Sequence, residues 1–299
     1  MPGKTQHTMQ DPRSLYPPLT IPNQEQPEPG LDAELTPQAD HGENSYTGSG
    51  KLKGRKALIT GGDSGIGRAV AIAFAREGAD VALNYLPEEE EDAKATASII
   101  EESGQKSVLI PGDLKDSAFC KSLVEQTAKE LGGIDILVNN AAKQVYIKSL
   151  EELSDDELDA TFKTNIYAMF WLTKAAVPLM KPGSTIINTT SIQSYEPSPA
   201  LLHYASTKGA ITSFTKGLAA AVLEKGIRVN GVAPGPIWTP LQPSHGQPPE
   251  KLVKFGQQSP MGRPGQPAEL APAYVFLASG ESSYITGEII GVTGGSPIS

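Results

Sequence analysis

The sequence of 299 residues lacks the features that mark several large classes of protein. Cys120 is its single cysteine, so no internal disulfide and no cysteine-ligated zinc site can form. No apolar run reaches the roughly 18 residues that a membrane-spanning helix needs, and the first residues lack the apolar core of a secretion signal. These absences exclude a secreted disulfide scaffold and a membrane protein, and they predict a cytoplasmic protein.

Basic residues and histidines are also scarce. The 25 Lys and Arg residues are outnumbered by 34 Asp and Glu residues, which gives a formal net charge of −9, and no basic cluster stands out. Because clustered positive charge is what binds a phosphate backbone, we expect no nucleic-acid partner. The four histidines show no spacing with carboxylates that is typical of a metal site, and we predict none.

The first fifty residues lack the periodic apolar pattern of a helix or a strand. They contain eight of the 25 prolines and only scattered Leu, Ile and Tyr residues. Such a composition buries too little apolar surface to offset the entropy lost on ordering. We therefore predict a proline-rich leader over residues 1–50, either disordered or docked on the surface of the subunit or of a neighbour. A single folded domain over residues 51–299 follows it.

From Lys51 onward, short β-branched apolar runs alternate with longer helical patterns. Continuous apolar strands are typical of a parallel sheet that helices cover on both faces. The sequence therefore predicts an α/β protein with a doubly wound, seven-stranded parallel sheet, a three-layer Rossmann fold. The predicted strands span residues 56–60, 80–84, 107–110, 134–138, 185–189, 227–233 and 288–292, and the predicted helices span 66–77, 88–102, 117–131, 155–180, 204–224 and 267–278.

One segment interrupts the alternation. Residues 234–266, rich in Pro, Gly and Gln, separate the sixth strand from the last helix. A loop of this length inside a compact α/β domain is typically a functional lid, so we predict a substrate lid here with a short helix at 249–255. The apolar residues Ile237, Trp238 and Leu241 disfavour the alternative, an unanchored insertion.

A glycine-rich loop follows the first predicted strand and leads directly into a helix. Glycines at such a junction let backbone N–H groups approach a pyrophosphate, and the dipole of the next helix favours the anion. A purely structural turn is the alternative, and the position at the head of a parallel sheet favours dinucleotide binding. The loop residues that we expect to contact the dinucleotide are Gly61, Asp63, Ser64, Gly65, Ile66 and Gly67.

The end of the second predicted strand bears on the choice of cofactor. Dinucleotide folds commonly place an acid there to receive the adenosine ribose, but this strand ends Asn84-Tyr85-Leu86. No acid repels a 2′-phosphate at this position, and no base holds one. We interpret the acids at 88–91 as the solvated first turn of the next helix. The sequence therefore favours NADP(H), and it is also compatible with NAD(H).

A Tyr-x-x-x-Lys pair opens the predicted helix at 204–224. Tyr204 and Lys208 are four residues apart, so their side chains share one helix face. A nearby ammonium group favours a phenolate and lowers the pKa of a tyrosine, which lets the phenol act as a general acid and base. Ser191, after the fifth strand, is placed to hydrogen-bond the same substrate oxygen. The alternatives are a surface packing pair for Tyr204 and Lys208, and strand-end capping for Ser191.

In their order and spacing, the motifs resemble those of the short-chain dehydrogenase/reductase family, over residues 51–295. The proline-rich leader, the glycine loop and the segment at 234–241 further resemble its bacterial aldehyde reductase and general stress oxidoreductase branch, which includes glucose and ribitol dehydrogenase homologues. Ala142 is a departure, because the family has glycine after Asn-Asn-Ala. The motifs that carry the resemblance are the glycine loop, Asn139-Asn140-Ala141, Asn165, Ser191, Tyr204-x-x-x-Lys208 and Pro234-Gly235.

The resemblance implies roles for individual residues and an assembly state. Its catalytic set is Asn165, Ser191, Tyr204 and Lys208, with Asn165 at a helix kink that positions a water for proton relay. A homotetramer is implied as well. The implied cofactor contacts, besides the glycine loop, Tyr204 and Lys208, are Tyr85, Asp113, Leu114, Asn140, Ala141, Pro234, Gly235, Ile237 and Thr239. We expect the substrate pocket to be lined by Ser191, Gln193, Tyr195, Tyr204 and Trp238.

These observations predict an oxidoreductase that transfers a hydride between NADP(H) or NAD(H) and a small aldehyde, ketone or polyol alcohol. The alternative is a non-catalytic sensor or scaffold that binds a dinucleotide without turnover. The joint presence of Ser191, Tyr204 and Lys208 speaks against that alternative, because a protein without turnover has no need of all three.

Overall fold

A seven-stranded sheet forms the centre of the protein, whose computed structural model describes residues 6–16 and 19–298. The strands are β1 (Lys56–Thr60), β2 (Asp80–Tyr85), β3 (Ser107–Pro111), β4 (Ile136–Asn139), β5 (Thr185–Thr189), β6 (Arg228–Pro234) and β7 (Ile289–Val292). All neighbouring pairs are parallel, and the order is β3-β2-β1-β4-β5-β6-β7. The doubly wound fold predicted from the sequence is confirmed.

Helices cover both faces of the sheet. They are α1 (Gly65–Arg76), α2 (Glu90–Glu102), α3 (Ser117–Leu131), α4 (Asp155–Phe162), α5 (Ala168–Ala176), α6 (Leu202–Val222), α7 (Pro249–Leu252) and α8 (Pro267–Ala278). Helices α1, α2 and α8 enclose one apolar core, and α3, α5 and α6 enclose the other. Successive strand residues serve the two cores in turn, as Leu58 and Ile59 do. This burial on both faces is the reason the strands read as continuous apolar runs.

The helix predicted over 155–180 is interrupted. The segment Lys163–Tyr167 winds as a π-helix between α4 and α5, and the regular helix ends at Ala176. The wider turn brings Asn165, which is 1% exposed, to the backbone of Lys143. Such a bulge within a helix commonly marks a functional position.

The leader packs against the domain through apolar side chains. Ile21 and Leu35 form a buried cluster with Trp238 and Leu252, which lie in the segment between β6 and α8. The indole N–H of Trp238 donates a hydrogen bond to the Pro37 carbonyl at 2.7 Å. Trp238 is fully buried in this contact, so the leader supplies the cover for that side chain.

A buried charge network joins the leader to α1. The His41 ring nitrogens lie 3.0 Å from Asp32 and 3.1 Å from Glu43, and the Arg68 guanidinium contacts the same two carboxylates at 3.3 and 3.2 Å. Burial lowers the pKa of His41, but the interactions with Asp32 and Glu43 outweigh it and raise the pKa to about 9. His41 is therefore a cation that holds two leader carboxylates beside Arg68.

We expect His41→Gln to destabilise the protein more at pH 6 than at pH 10. A histidine with a raised pKa contributes stability that is fully present below its unfolded value of 6.5 and is lost as the pH rises through about 9. The difference in unfolding free energy between the native chain and the variant should shrink by about 3 kcal/mol over that range. Chemical denaturation at both pH values measures it.

Asn44→Gln is the control for this experiment, because Asn44 is an exposed neighbour of the same network. Its unfolding free energy should follow that of the native chain at both pH values. A deficit for His41→Gln that is equal at pH 6 and pH 10 would contradict a charged His41.

Candidate active site

A cavity of about 930 Å³ opens at the carboxyl ends of the strands. The loops after β1, β2, β3, β4, β5 and β6 all contribute to its walls. The order of the sheet changes direction between β1 and β4, and parallel sheets bind ligands at such a point. The volume is in the range of sites that take a cofactor or a small molecule.

The glycine loop forms one wall and has little room for side chains. Gly65 begins α1 with a φ of 49°, and a Cβ there would lie 3.1 Å from a carbon of Thr239. At Gly67 a Cβ would lie 1.8 Å from the carbonyl oxygen of Gly61. Only glycine fits both positions, so the N-terminus of α1 is left open toward the cavity.

Two consecutive asparagines at the end of β4 bond the neighbouring strands, and Asn140 fixes the glycine loop. The Asn140 side chain donates to the Thr60 and Gly61 carbonyls at 3.1 and 3.0 Å. The Asn139 amide donates to Asn188 on β5 at 2.9 Å. Within the Asn-Asn-Ala motif, the Asn140 side chain therefore holds the glycine loop in place, and the Asn139 side chain ties β4 to β5.

Ser191, Tyr204 and Lys208 lie together at the other end of the cavity and line it. The Lys208 ammonium nitrogen is 5.3 Å from the centre of the Tyr204 ring and donates a hydrogen bond to the Thr189 carbonyl at 2.9 Å. The Ser191 hydroxyl oxygen accepts from the Gln193 N–H at 3.1 Å. A phenol, a hydroxyl and an ammonium group thus face the same space.

Burial controls the protonation of these groups. It raises the pKa of Tyr204 to about 12, although the interaction with Ser191 acts in the opposite direction. Burial also lowers the pKa of Lys208 to about 7. Burial thus opposes the lowering of the phenol pKa that is predicted from Lys208 together with a positively charged nicotinamide, and that lowering stays a prediction for the protein with cofactor bound. In the protein by itself the Tyr204 phenol is protonated.

Asn165 is not among the described residues that line the cavity, so its side chain makes no direct contact with that space. Its side chain accepts from the Lys143 N–H at 2.7 Å and donates to the Lys143 carbonyl at 2.9 Å and to the Thr207 hydroxyl at 3.0 Å. These bonds join the π-helical segment to the loop after β4 and to α6. Asn165 is thus a positioning residue in the geometry of the site.

The cavity brings together most of the residues predicted from the sequence. Gly67, Asn165, Tyr195 and Trp238 are not among the described residues that line it. Trp238 is fully buried, so the prediction that it lines the substrate pocket is wrong, and the role of the half-buried Tyr195 stays a prediction. Trp238 is instead the buried partner of the leader. The predicted residues that do line the cavity are Gly61, Asp63, Ser64, Gly65, Ile66, Tyr85, Asp113, Leu114, Asn140, Ala141, Ser191, Gln193, Tyr204, Lys208, Pro234, Gly235, Ile237 and Thr239.

Sequence reasoning missed the contribution of the leader to this cavity. Glu28, Pro29 and Gly30 line it, and Glu28 holds the Lys143 ammonium group at 2.6 Å. Lys143 also contacts Glu157 on α4 at 3.3 Å. Nothing in a proline-rich stretch singles out Glu28, because its partner lies 115 residues further along the chain.

One of the acids after β2 was also misjudged. Glu89 is not a solvated residue: it lines the cavity and accepts from the Leu86 N–H at 2.8 Å. Glu90 accepts from the Tyr85 hydroxyl. The turn at Pro87 brings Glu89 to the cavity, whereas the Glu90 side chain is 41% exposed and that of Glu91 is 87% exposed, so the prediction of a solvated turn is wrong for Glu89 alone. The end of the cavity near β2 is therefore acidic.

Within residues 6–16 and 19–298, no group of three or more His, Cys, Asp or Glu side chains has the geometry to hold a metal ion. In the same part of the chain, no helix is long and apolar enough to cross a membrane.

The fold, the glycine loop and the Ser-Tyr-Lys group together define a class of protein. A family model described as enoyl-(acyl carrier protein) reductase matches residues 61–296. The chain belongs to the short-chain dehydrogenase/reductase family and is an oxidoreductase.

Individual relatives narrow the comparison. The uncharacterized oxidoreductase YghA of Escherichia coli is 58% identical over 96% of this chain and 98% of its own length. The NADPH-dependent aldehyde reductase 1 of Arabidopsis thaliana, a chloroplastic protein, is 47% identical over 91% of this chain and 96% of its own. A short-chain dehydrogenase of Burkholderia cenocepacia, solved in complex with NADP, has a TM-score of 0.77 at 33% identity and covers 82% of this chain and 98% of its own.

Proposed function

We propose that this oxidoreductase reduces small aldehydes or ketones, or oxidises the corresponding alcohols, with a nicotinamide cofactor. The observation that carries the proposal is the joint position of Ser191, Tyr204 and Lys208 on one cavity with the glycine loop. A cofactor at that loop and a carbonyl at Tyr204 would share one enclosed space. The Arabidopsis relative, an NADPH-dependent aldehyde reductase by name, supports the substrate class.

The residues of the chain fit a dinucleotide. The open N-terminus of α1 suits a pyrophosphate, and the cavity extends from there to both Tyr204 and the residues after β2. We propose NADP(H) as the favoured cofactor, because the Burkholderia structure holds NADP and the Arabidopsis relative is NADPH-dependent by name. NAD(H) is compatible with the same cavity.

The cofactor supplies or accepts the hydride, and the chain handles the proton. We assign Tyr204 as the proton donor to the carbonyl oxygen, because burial raises its pKa to about 12 and so keeps the phenol protonated before hydride transfer. The charge of Lys208 and of an oxidised nicotinamide would lower that pKa toward the range in which a phenol is an effective general acid and base. Ser191 donates a hydrogen bond to the same oxygen as negative charge develops on it. Lys208, fixed by the Thr189 carbonyl, lies between the phenol and the sheet and binds the nicotinamide ribose. Asn165 holds the loop after β4 against α6.

The test is a turnover assay with NADPH and NADH against a panel of small aldehydes, ketones and polyols. We expect carbonyl-dependent loss of the absorbance of the reduced nicotinamide. Cofactor binding without turnover of any carbonyl or alcohol would refute the proposal and favour a sensor or scaffold.

We further propose a homotetramer that acts in the cytoplasm. Phe170 on α5 is 53% exposed and its ring lies 4.5 Å from that of Phe214 on α6, centre to centre. Tyr167 is 44% exposed on the same stretch. Pairing between subunits would cover this apolar surface on the helices. Analytical ultracentrifugation measures the assembly state.

A further inference from the structure

The end of the cavity near β2 contains a buried carboxylate whose only nearby donors in the described chain are the Ser64 hydroxyl and its own backbone, at poor geometry. Asp63, in the glycine loop, is 1% exposed and lines the cavity. Within the described chain, neither of its side-chain oxygens makes a hydrogen bond of ordinary geometry. Its backbone is fixed, because the Thr96 hydroxyl of α2 donates to the Asp63 carbonyl at 2.9 Å. A buried carboxylate with no well-placed donor is costly, so its position requires an explanation.

The surroundings of Asp63 supply negative charge and no unpaired cation. The cationic side chains on neighbouring elements are already engaged, Arg68 with two leader carboxylates and Lys115 with Asp113 at 3.2 Å. A 2′-phosphate placed at this end would meet several carboxylates. The titratable groups that interact with Asp63 are Tyr85 from β2, Glu89 from the turn, Asp92 from α2 and Asp32 from the leader, and the Ser64 hydroxyl lies beside it; Arg68 contacts Asp32 and the charge of Glu88 acts on Glu89.

A ribose diol matches the empty acceptors of Asp63. Two adjacent hydroxyl groups offer two donors, and a carboxylate offers two acceptor oxygens. Dinucleotide folds use an acid at the end of the second strand for this contact, and this chain has Asn84-Tyr85-Leu86 there. Asp63 lies at the same end of the cavity but comes from the glycine loop, and its charge acts on Tyr85 there.

We propose that Asp63 is a specificity-determining residue that receives the adenosine ribose hydroxyls and, with Glu89, weakens the binding of a 2′-phosphate. The inference rests on the proposed dinucleotide function and adds a discriminating residue to it. The consequence is that the chain uses NAD(H) alongside NADP(H), because the acids reduce the extra affinity that the 2′-phosphate would otherwise give NADP(H).

The discrimination is also sensitive to pH. Burial raises the pKa of Asp63 to about 7, the charges of Asp92 and Asp32 add to this effect, and Ser64 opposes it. Burial and the charge of Asp63 raise the pKa of Glu89 to about 8. Both carboxyls gain charge as the pH rises from 6 to 8.5, so NADPH should lose affinity relative to NADH over this range.

The test measures dissociation constants of NADPH and NADH, from nicotinamide fluorescence, for the native chain, Asp63→Asn and the control Glu91→Gln. We expect Asp63→Asn to shift the ratio of the two constants toward NADPH by about tenfold or more, and to flatten its dependence on pH. Glu91→Gln removes the same charge from a residue whose side chain is 87% exposed, and its ratio should stay native. Asp63→Ser is the second variant if the asparagine disturbs folding.

Each outcome is decisive. The role of Asp63 would be overturned if Asp63→Asn kept the native ratio, or if Glu91→Gln shifted the ratio equally. Cofactor binding would in either case leave the proposed function intact. If the native chain bound neither cofactor, the proposed function and the role of Asp63 would both be refuted. A native ratio that did not change between pH 6 and 8.5 would count against the charge of Asp63.

Discussion

Tyr204→Phe should reduce turnover on the order of 10³-fold, because it removes only the hydroxyl that donates the proton. The ring remains to fill the space beside Lys208, so we expect the fold and cofactor affinity to be kept. Steady-state rates with a carbonyl substrate measure the loss, and nicotinamide fluorescence measures binding. A loss of kcat at unchanged cofactor affinity would identify Tyr204 as a catalytic residue rather than a packing residue.

Tyr195→Phe is the matched control. Tyr195 is a half-buried tyrosine nine residues earlier, outside the described lining of the cavity. Its loss of a hydroxyl should leave kcat within about twofold of the native value. Comparable turnover in Tyr204→Phe and Tyr195→Phe would show that Tyr204 is not the proton donor.

Removal of residues 1–48 should lower the free energy of unfolding by at least about 5 kcal/mol, since three large buried side chains are lost at about 1.5–3 kcal/mol each. These side chains are Ile21, Leu35 and Tyr46, whose hydroxyl donates to Glu77 at 2.7 Å. The deletion also uncovers Trp238. A loss of this size corresponds to a drop in Tm of roughly 10 °C or more for a domain of this length.

Turnover should fall as well, because Glu28, Pro29 and Gly30 leave the cavity wall with the leader. Calorimetry measures the loss of stability, a binding assay measures cofactor affinity, and steady-state rates measure turnover.

Leu35→Ala should reproduce part of the destabilisation, about 2–5 kcal/mol, because it opens a cavity beside Trp238. Met9→Ala is the control, since Met9 is fully exposed in the leader. If the deletion left stability, assembly and turnover unchanged, the leader would be a solvated appendage only.

The fold was predictable from the sequence because its signals are local. Each strand is an apolar run of a few residues, and the helices from α1 to α8 follow patterns that a single segment contains. The glycine loop, Ser191 and Tyr204 were recognisable for the same reason, since the first two follow strand ends and Tyr204 opens α6 with Lys208 one turn later. The predicted strands begin and end within two residues of the observed bounds.

The remaining features depend on distant partners. Trp238 reads as a pocket residue because an isolated aromatic in a lid gives no sign that Pro37 covers it. Glu89 reads as solvated because a run of four glutamates gives no sign of which one the short turn at Pro87–Glu89 folds back onto the Leu86 N–H. The π-helical segment around Asn165 was anticipated only as a kink, since the sequence between α4 and α5 contains no proline or glycine.

The contacts of the leader determine when the active site is completed during synthesis. Gln26 bonds the backbone of Pro243, and the side-chain oxygen of Gln266 accepts from the Asp40 N–H across 226 residues of chain. During synthesis the leader emerges well before the segments on which it docks. Long-range closure of this kind is slow compared with local folding. The wall that Glu28 contributes is therefore completed only after residues 243–266 have left the ribosome, and the nascent protein cannot present a finished cavity to its ligands before that point.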